Sequence, residues 1–224
     1  MSNVIRFTFF SAPGVKTASD LKGGAVGVST FGSESDSTVT LALRRLGMTR
    51  KDVVLKEYGG ATRRLAALKS GEIKASAINE PVASHAREQG VNVMVDLVAE
   101  QIPWLFSSIV VRRGDLTSRR DLITRFLKAA IEGNYLGFSD ASRAKDVLAR
   151  ELKLTDPKII DINYDDFRKQ SPLDMELSRS GAENVIAELL GGSIMLEDYM
   201  DTGILDDLKK QGFFIALRQK YGIN

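Results

Sequence analysis

The chain has 224 residues, 43% of them hydrophobic and 27% charged, a composition typical of a globular protein and unlike that of a disordered chain. Its 31 Lys and Arg residues nearly balance its 29 Asp and Glu residues, so the sequence does not predict nucleic acid as a partner. It contains no cysteine and a single histidine, which excludes disulfide scaffolds, thiol catalysis, cysteine-held metals and sites that need two histidines.

The sequence contains no apolar run near the ~18 residues of a membrane span. Its first ten residues also lack the basic start, the long apolar stretch and the small-residue cleavage site of a secretory signal. As given, the chain is therefore expected to be a cytoplasmic protein, or a mature or truncated form of an exported one.

The first half of the chain alternates predicted strands with predicted helices. The strands are expected at 4–10, 25–29, 53–58, 73–78 and 91–98, and the helices between the later strands end at Gly47, Gly71 and Gly90. This alternation over residues 25–98 predicts a parallel α/β sheet with helices on both faces. After Pro103 the pattern changes to one further strand at 107–111 and then mostly helical sequence, so segment 91–113 is expected to join two parts of the molecule.

The strongest local feature is the polar loop 29–37, which leads from a buried strand into a helix. Gly32 allows close approach of the backbone to another molecule, and the helix start supplies N–H groups without intrahelical partners. Ser33 and Asp36 also fit a capping box, so a well-capped helix is the plain structural alternative. Ligands of open α/β sheets bind beyond the carboxyl ends of the strands. Three such ends, 29–35, 58–62 and 79–81, are expected to meet at one edge, which predicts a small-molecule site there.

Eight residues are predicted to contact the solute, seven from these three loops and one from the joining segment: Thr30, Gly32, Ser33, Glu34, Gly60, Asn79, Glu80 and Trp104. Trp104 is expected either to pack on the apolar part of the solute or to belong to the core. The helix start favours an anion, whereas Glu34, Asp36 and Glu80 oppose one if they face the cleft. If those acids only cap helices, an anion can bind. We favour a neutral or zwitterionic organic solute at this stage.

The sequence offers little support for other chemistries. It contains no phosphate-binding or dinucleotide-binding glycine motif and no nucleophile elbow. His85, in the middle of a predicted helix, is typical of a surface or packing residue. No catalytic residue, metal or cofactor is predicted.

Several segments, in this order, carry a resemblance to a known family: SDLKGGAVGV at 19–28, the Gly32-Ser33 loop, LGM at 46–48 with Asp52-Val53, ALKSGEIKA at 67–75, Glu80-Pro81 and Gly90. They resemble the type II solute-binding proteins of ABC importers, in the branch for aliphatic sulfonates, nitrate and thiamine-pyrimidine precursors (SsuA/THI5-like). Lys74 stands where the family pattern has an aspartate. The resemblance runs from about residue 4 to the end of the chain.

The resemblance implies a fold and a division of the chain. The fold is expected to be the α/β fold of type II periplasmic binding proteins, with two lobes and a cleft. Because the match begins late in the family pattern, the first part of lobe 1 is expected to be missing. Residues 1–22 are then a remnant of lobe 1, 23–103 form lobe 2, and 104–224 return to lobe 1. We expect strand 4–10 to belong with the later helices rather than with lobe 2.

The resemblance also implies a function. The chain is expected to be the solute-binding component of an ABC transport system, located in the periplasm, which closes about hinges at 11–24 and 98–108 and presents its solute to a membrane permease. It is not expected to be an enzyme. The alternatives are a THI5-like pyrimidine-synthesis enzyme, which depends on a histidine and a cysteine-rich iron site, and an effector-binding regulatory domain of the same fold. The truncated lobe is expected to expose apolar surface and to allow self-association.

Overall fold

A computed structural model describes residues 2–189 and 195–223 of the chain. The strands of those residues are β1 (Ser2–Val4), β2 (Phe7–Ser11), β3 (Ala25–Val28), β4 (Val54–Glu57), β5 (Ala75–Asn79), β6 (Asn92–Val95) and β7 (Pro103–Ser107). The α-helices of the first half are α1 (Ala18–Leu21), α2 (Glu34–Arg45), α3 (Ala61–Ser70) and α4 (Val82–Glu88). The helices of the second half are α5 (Asp115–Ser118), α6 (Arg120–Ser139), α7 (Ala141–Leu152), α8 (Pro157–Gln170), α9 (Arg179–Leu189), α10 (Gly203–Lys210) and α11 (Phe213–Tyr221).

The larger sheet has five strands in the order β4-β3-β5-β2-β6. β3 runs parallel to β4 and β5, whereas β2 runs antiparallel to both of its neighbours, β5 and β6. The sheet is therefore mixed, and the expectation of a parallel sheet holds only for its β4-β3-β5 half. We call this sheet, with α1 to α4, the sheet unit.

Helices cover both faces of the sheet unit, as the alternation of strands and helices predicts. One apolar cluster packs α2 against the sheet through Val39, Ala42 and Leu43. A second cluster, on the other face, includes Leu65 and Leu68 of α3. The predicted helix stops are confirmed, because Gly47, Gly71 and Gly90 all adopt positive φ just after α2, α3 and α4.

Segment 4–10 does not form one strand and does not stay outside the sheet unit. It divides after Val4 into β1 and β2, and β2 lies in the larger sheet, separated from β3 only by β5. Every residue of β2 is buried, because this strand is covered by helices on both faces. The expectation that strand 4–10 belongs with the later helices is therefore wrong for residues 7–11.

β1 pairs antiparallel with β7 in a separate two-stranded sheet, with Ser2 opposite Ser107 and Val4 opposite Pro103. The predicted strand at 107–111 is wrong, because the strand ends at Ser107 and the residues that follow it have no regular structure. Val110 is 85% exposed. The apolar run at 109–111 therefore does not fill a core, and its side chains line a cavity of about 320 Å³.

The second half of the chain packs its helices around a core of its own. Six buried side chains from α6, α10 and α11 form this core: Ile131, Tyr135, Ile204, Leu208, Phe214 and Leu217. We call α5 to α11 the helical part. Among residues 2–189 and 195–223, none of the helices combines the length and hydropathy that a membrane crossing requires.

Candidate functional site

The three predicted loops are neighbours at one edge of the larger sheet. β3 pairs in parallel with both β4 and β5, so the carboxyl ends of these strands lie side by side. The backbone N–H of Gly59 donates to Ser29 O at 3.1 Å, and that of Phe31 donates to Glu57 Oε1 at 2.7 Å. These contacts join the loop after β3 to the loop after β4.

A cluster of three serine hydroxyls opens α2. The side-chain oxygens of Ser29, Ser33 and Ser35 lie 2.8–3.0 Å from one another. Ser33 is the N-cap and accepts a long hydrogen bond from the backbone of Asp36 at 3.4 Å. The polar run 29–37 is the strongest local feature of the sequence, but of these three serines only Ser33 is predicted to contact the solute.

The acids of this edge hold loops and helix starts. Asp36 accepts from the backbone N–H of Gly32 at 2.8 Å and from Arg50 at 2.6 Å. Glu80 accepts from the backbone N–H and the hydroxyl of Ser84, at 2.9 and 2.6 Å, and from Arg87 at 2.8 Å. Their negative charges are thus compensated within the protein, and the electrostatic argument against an anionic solute becomes weak.

Glu34 and Trp104 form a contact between α2 and β7. The indole N–H of Trp104 donates to Glu34 Oε2 at 3.1 Å. Burial raises the pKa of Glu34, while the hydrogen bond from Trp104 acts in the opposite direction. Trp104 is only 2% exposed and belongs to the apolar cluster that contains Phe7. The core alternative for Trp104 is therefore the observed one, because β7 directs the ring into that cluster and leaves no face open to a solute.

Arg64 is the buried cation of this edge, and sequence reasoning missed it. Its side chain extends from α3, is 2% exposed, and donates to the carbonyls of Gly59 and Ala77, the latter at 3.2 Å. Its Nε has no hydrogen-bond partner, and burial lowers its pKa to about 10. Arg64 therefore ties the loop after β4 to the middle of β5.

The remaining predicted residues are open to solvent to different degrees. Thr30, Gly32 and Gly60 are exposed, and Asn79 is half-buried. Gly32 has a φ of +76°, and a Cβ added there or at Gly60 would meet no atom within 4 Å. Positive φ explains why glycine suits position 32, and the open space above both glycines is where a solute would contact backbone. Phe31, between two predicted residues, is 56% exposed.

Two cavities of the described residues lie away from this edge. The larger, about 320 Å³, is lined by apolar side chains from β7, α6, α9 and α10. The second, about 230 Å³, lies among α6, α7 and α8. None of the eight predicted residues lines either cavity. His85 is half-buried on α4 and faces Glu88 at 3.8 Å, and within the described ranges no three acidic or histidine side chains gather as metal ligands would.

Comparison with known proteins gives a family and a relative. The model of a family described as "NMT1/THI5 like" matches residues 2–138. The riboflavin-binding protein RibY of Chloroflexus aurantiacus is 31% identical over 130 residues, which are 56% of this chain and 36% of RibY. The chain thus spans about a third of the length of this curated relative.

Solved structures share the fold. The aliphatic sulphonate-binding protein SsuA of Escherichia coli superposes with a TM-score of 0.56 at 24% identity, over 74% of this chain and 53% of SsuA. The ligand-binding component of an ABC-type import system from Staphylococcus aureus has a TM-score of 0.69 at 13% identity, over 92% and 71%. The desulfurization enzyme DszB has a TM-score of 0.60 at 17% identity, over 93% and 77%. At such identities the likeness shows the fold, which is the α/β fold of type II periplasmic binding proteins.

Proposed function

Because the chain belongs to the NMT1/THI5-like family, we propose that it is a solute-binding protein that captures a small organic molecule at the carboxyl edge of its larger sheet. We propose further that it serves an ABC transport system in the periplasm and delivers its solute to a membrane permease. RibY and SsuA are both named for the small molecules that they bind, which supports a binding role.

The meeting of three strand-end loops at one edge carries this proposal. Their contacts fix the loops before any solute arrives: Gly32 N–H is held by Asp36, Phe31 N–H by Glu57, and Gly59 O by Arg64. Because these loops are already ordered, binding of a solute loses less free energy to ordering them. Thr30, Gly32, Ser33, Gly60 and Asn79 would contact the solute, and Glu34 and Glu80 would hold the loops.

The charges of the edge admit an anionic group on the solute. The carboxylates of Asp36 and Glu80 are paired with arginines, and the raised pKa of Glu34 reflects a carboxylate that is disfavoured by burial. The starts of α2 and α3 add N–H groups with the positive end of each helix dipole. Sulfonates, nitrate, pyrimidine precursors and flavins therefore all belong in a first screen.

The two-lobed mechanism is part of the proposal. The sheet unit would act as one lobe, and β1, β7 and the helical part as the other, joined by residues 5–6 and 96–102. The hinge expected at 11–24 is wrong, because that segment connects β2 to β3 within the sheet unit. The Glu34–Trp104 hydrogen bond and the Arg44–Glu188 ion pair already link the two parts. Closure of the second lobe over the three loops would exclude water from the solute. Exposed apolar side chains of the helical part would support association of this lobe with another chain.

An enzyme on the same fold is the alternative, favoured by the likeness to DszB. The family's pyrimidine-synthesis enzymes, as the resemblance implies, need a histidine and a cysteine-rich iron site. This chain has no cysteine, and His85 lies on α4 beside Glu88. Turnover of a bound sulfinate or pyrimidine precursor, measured by product formation, would establish the enzyme in place of the carrier.

Thermal shift with sulfonates, nitrate, flavins and pyrimidines tests the binding proposal. A true ligand at ~100 times its Kd should stabilise the fold by about 2.7 kcal/mol. Ser33→Ala and Asn79→Ala should each weaken that ligand's affinity in calorimetry. Asp140→Ala is the matched control for Ser33→Ala, because Asp140 is the N-cap of α7, far from the site in sequence. Unchanged affinity in both site variants would refute the site.

A further inference from the structure

The loop after β3 presents an aromatic ring to solvent. Phe31 is 56% exposed, although burying a side chain of this size stabilises a protein by about 1.5–3 kcal/mol. Single exposed apolar residues are common on protein surfaces. Phe31 differs from such residues in its position, between Thr30 and Gly32 at the edge where the three loops meet.

The backbone on both sides of the ring is fixed. The N–H of Phe31 donates to Glu57 Oε1 at 2.7 Å, and the N–H of Gly32 donates to Asp36 Oδ2 at 2.8 Å. Asp36 is itself held by Arg50. The ring is therefore presented from a constrained loop, which lowers the entropy lost when a second flat group covers it.

Open space lies above the backbone of the glycines in the loops after β3 and β4. A Cβ added at Gly32, Gly59 or Gly60 would meet no heavy atom within 4 Å. Gly59 lies beside the first loop, because its N–H donates to Ser29 O. A flat molecule lying on Phe31 could thus extend over the backbone of both loops without displacing a side chain from these glycines.

The other aromatic side chains near this edge do not offer a face. Trp104 is 2% exposed and Tyr58 9% exposed, and Tyr58 directs its hydroxyl to Glu72 at 3.1 Å. Of Phe31, Tyr58 and Trp104, Phe31 is the ring that solvent reaches.

From these observations we propose that Phe31 is a specificity-determining residue of the solute site, and that its ring stacks on a flat, conjugated ring of the solute. The inference rests on the proposed binding function and narrows its solute to planar ring compounds. Offset stacking of two rings stabilises a pair beyond simple burial of apolar area, so a flat solute gains more from Phe31 than an alkyl chain does.

Calorimetry on the whole chain with two kinds of probe tests the inference. Riboflavin and an aromatic sulfonate, each with a flat conjugated ring, are the planar probes; an alkanesulfonate and nitrate, neither of which has a ring, are the comparison probes. We expect the planar probes to bind more tightly, Phe31→Ala and Phe31→Leu to weaken them about tenfold, and Phe31→Tyr to retain them. Leucine keeps the apolar bulk without the ring. Phe126→Ala is the matched control, since Phe126 is also 56% exposed but lies on α6, and it should change nothing.

The outcomes separate the two proposals. Tight binding of an alkanesulfonate or nitrate that Phe31→Ala leaves unchanged would overturn the stacking inference and leave the binding function standing. Weaker binding of the planar probes by Phe31→Ala, together with unchanged binding by Phe31→Leu, would also overturn it. Apolar bulk alone would then explain the contact. Failure of every probe to bind the unaltered chain would overturn the proposed function, and the inference with it.

Discussion

The sheet unit and the helical part bury their apolar side chains in different ways. The sheet unit has a cluster on each face of one sheet, and only Phe31, Val54 and Val93 among its large apolar side chains are exposed. Within the described residues, the helical part has one smaller cluster. The exposed large apolar residues described from 110 onward are Val110, Val111, Leu122, Phe126, Val147, Leu152, Met195, Tyr199 and Ile215. A sheet with helices on both faces buries most of its apolar side chains among its own elements, although one of its clusters also includes Trp104 of β7. Amphipathic helices depend more on whatever packs against them.

The largest expected effect contrasts the two cores directly. Leu68→Ala removes a fully buried side chain of the sheet unit and should lower the free energy of unfolding by about 2–5 kcal/mol. Leu208→Ala, 1% exposed in the helical core, should fall at the low end of that range, because a less enclosed core can relax around the cavity. Urea denaturation followed by circular dichroism measures both. Leu122→Ala, at 52% exposure, is the control, and a cost for Leu208→Ala equal to that for Leu68→Ala would remove the contrast.

Arg64 is a buried charged side chain in the sheet unit, whose buried residues are mainly apolar. Arg64→Met keeps the approximate length of the side chain but removes its hydrogen bonds to the carbonyls of Gly59 and Ala77. Hydrogen bonds from a charged group contribute about 1.5–3 kcal/mol, so the variant should be less stable by that order. Arg63→Met, on the exposed side of α3, should be nearly neutral. A variant at position 64 more stable than the unaltered chain would show that desolvating the guanidinium outweighs its hydrogen bonds.

The ion pair between Arg6 and Asp166 joins the two regions. Its side chains are 28% and 12% exposed, so the pair is less screened by solvent than the surface pairs of the helices. Asp166→Asn should cost about 1 kcal/mol and broaden the unfolding transition, because the regions then unfold less cooperatively. Asp161→Asn breaks a pair with Lys145 inside the helical part and should leave the transition width unchanged. Equal widths in the two variants would argue that Arg6 and Asp166 do not couple the regions.

The smallest expected effect concerns Glu34, at the contact between the regions. Burial raises its pKa above the ordinary 4.5, so the folded chain binds more protons than the unfolded chain between the two values. The free energy of unfolding should therefore fall as pH rises from about 4.5 through the raised pKa. Glu34→Gln should remove this decline, so the difference in free energy of unfolding between Glu34→Gln and the unaltered chain should increase in favour of the variant as pH rises across that window. A flat difference for Glu34→Gln across that window would contradict the assignment.

Local pattern predicted those features that depend on neighbouring residues. The helix stops at Gly47, Gly71 and Gly90 and the meeting of three strand ends follow from turn chemistry and strand alternation. The position of β2 does not follow from local pattern, because its partners β5 and β6 lie far along the chain. An antiparallel strand inserted into the sheet has no distinctive local sequence. Arg64 was missed for a related reason: an arginine within the sequence T-R-R-L is typical of a helix surface, and only packing decides which of two adjacent arginines is buried.

Trp104 is the chain's only tryptophan, and it is buried where α2 meets β7. Fluorescence emission therefore reports on one place in the molecule. It should shift to longer wavelength when the junction between the regions opens to water, and it should be insensitive to melting of the helical core alone. An emission trace that fails to superpose on the dichroism trace of the same denaturation would reveal an intermediate with an intact junction and melted helices. If the fluorescence and dichroism traces coincide, the junction persists only while both regions are folded.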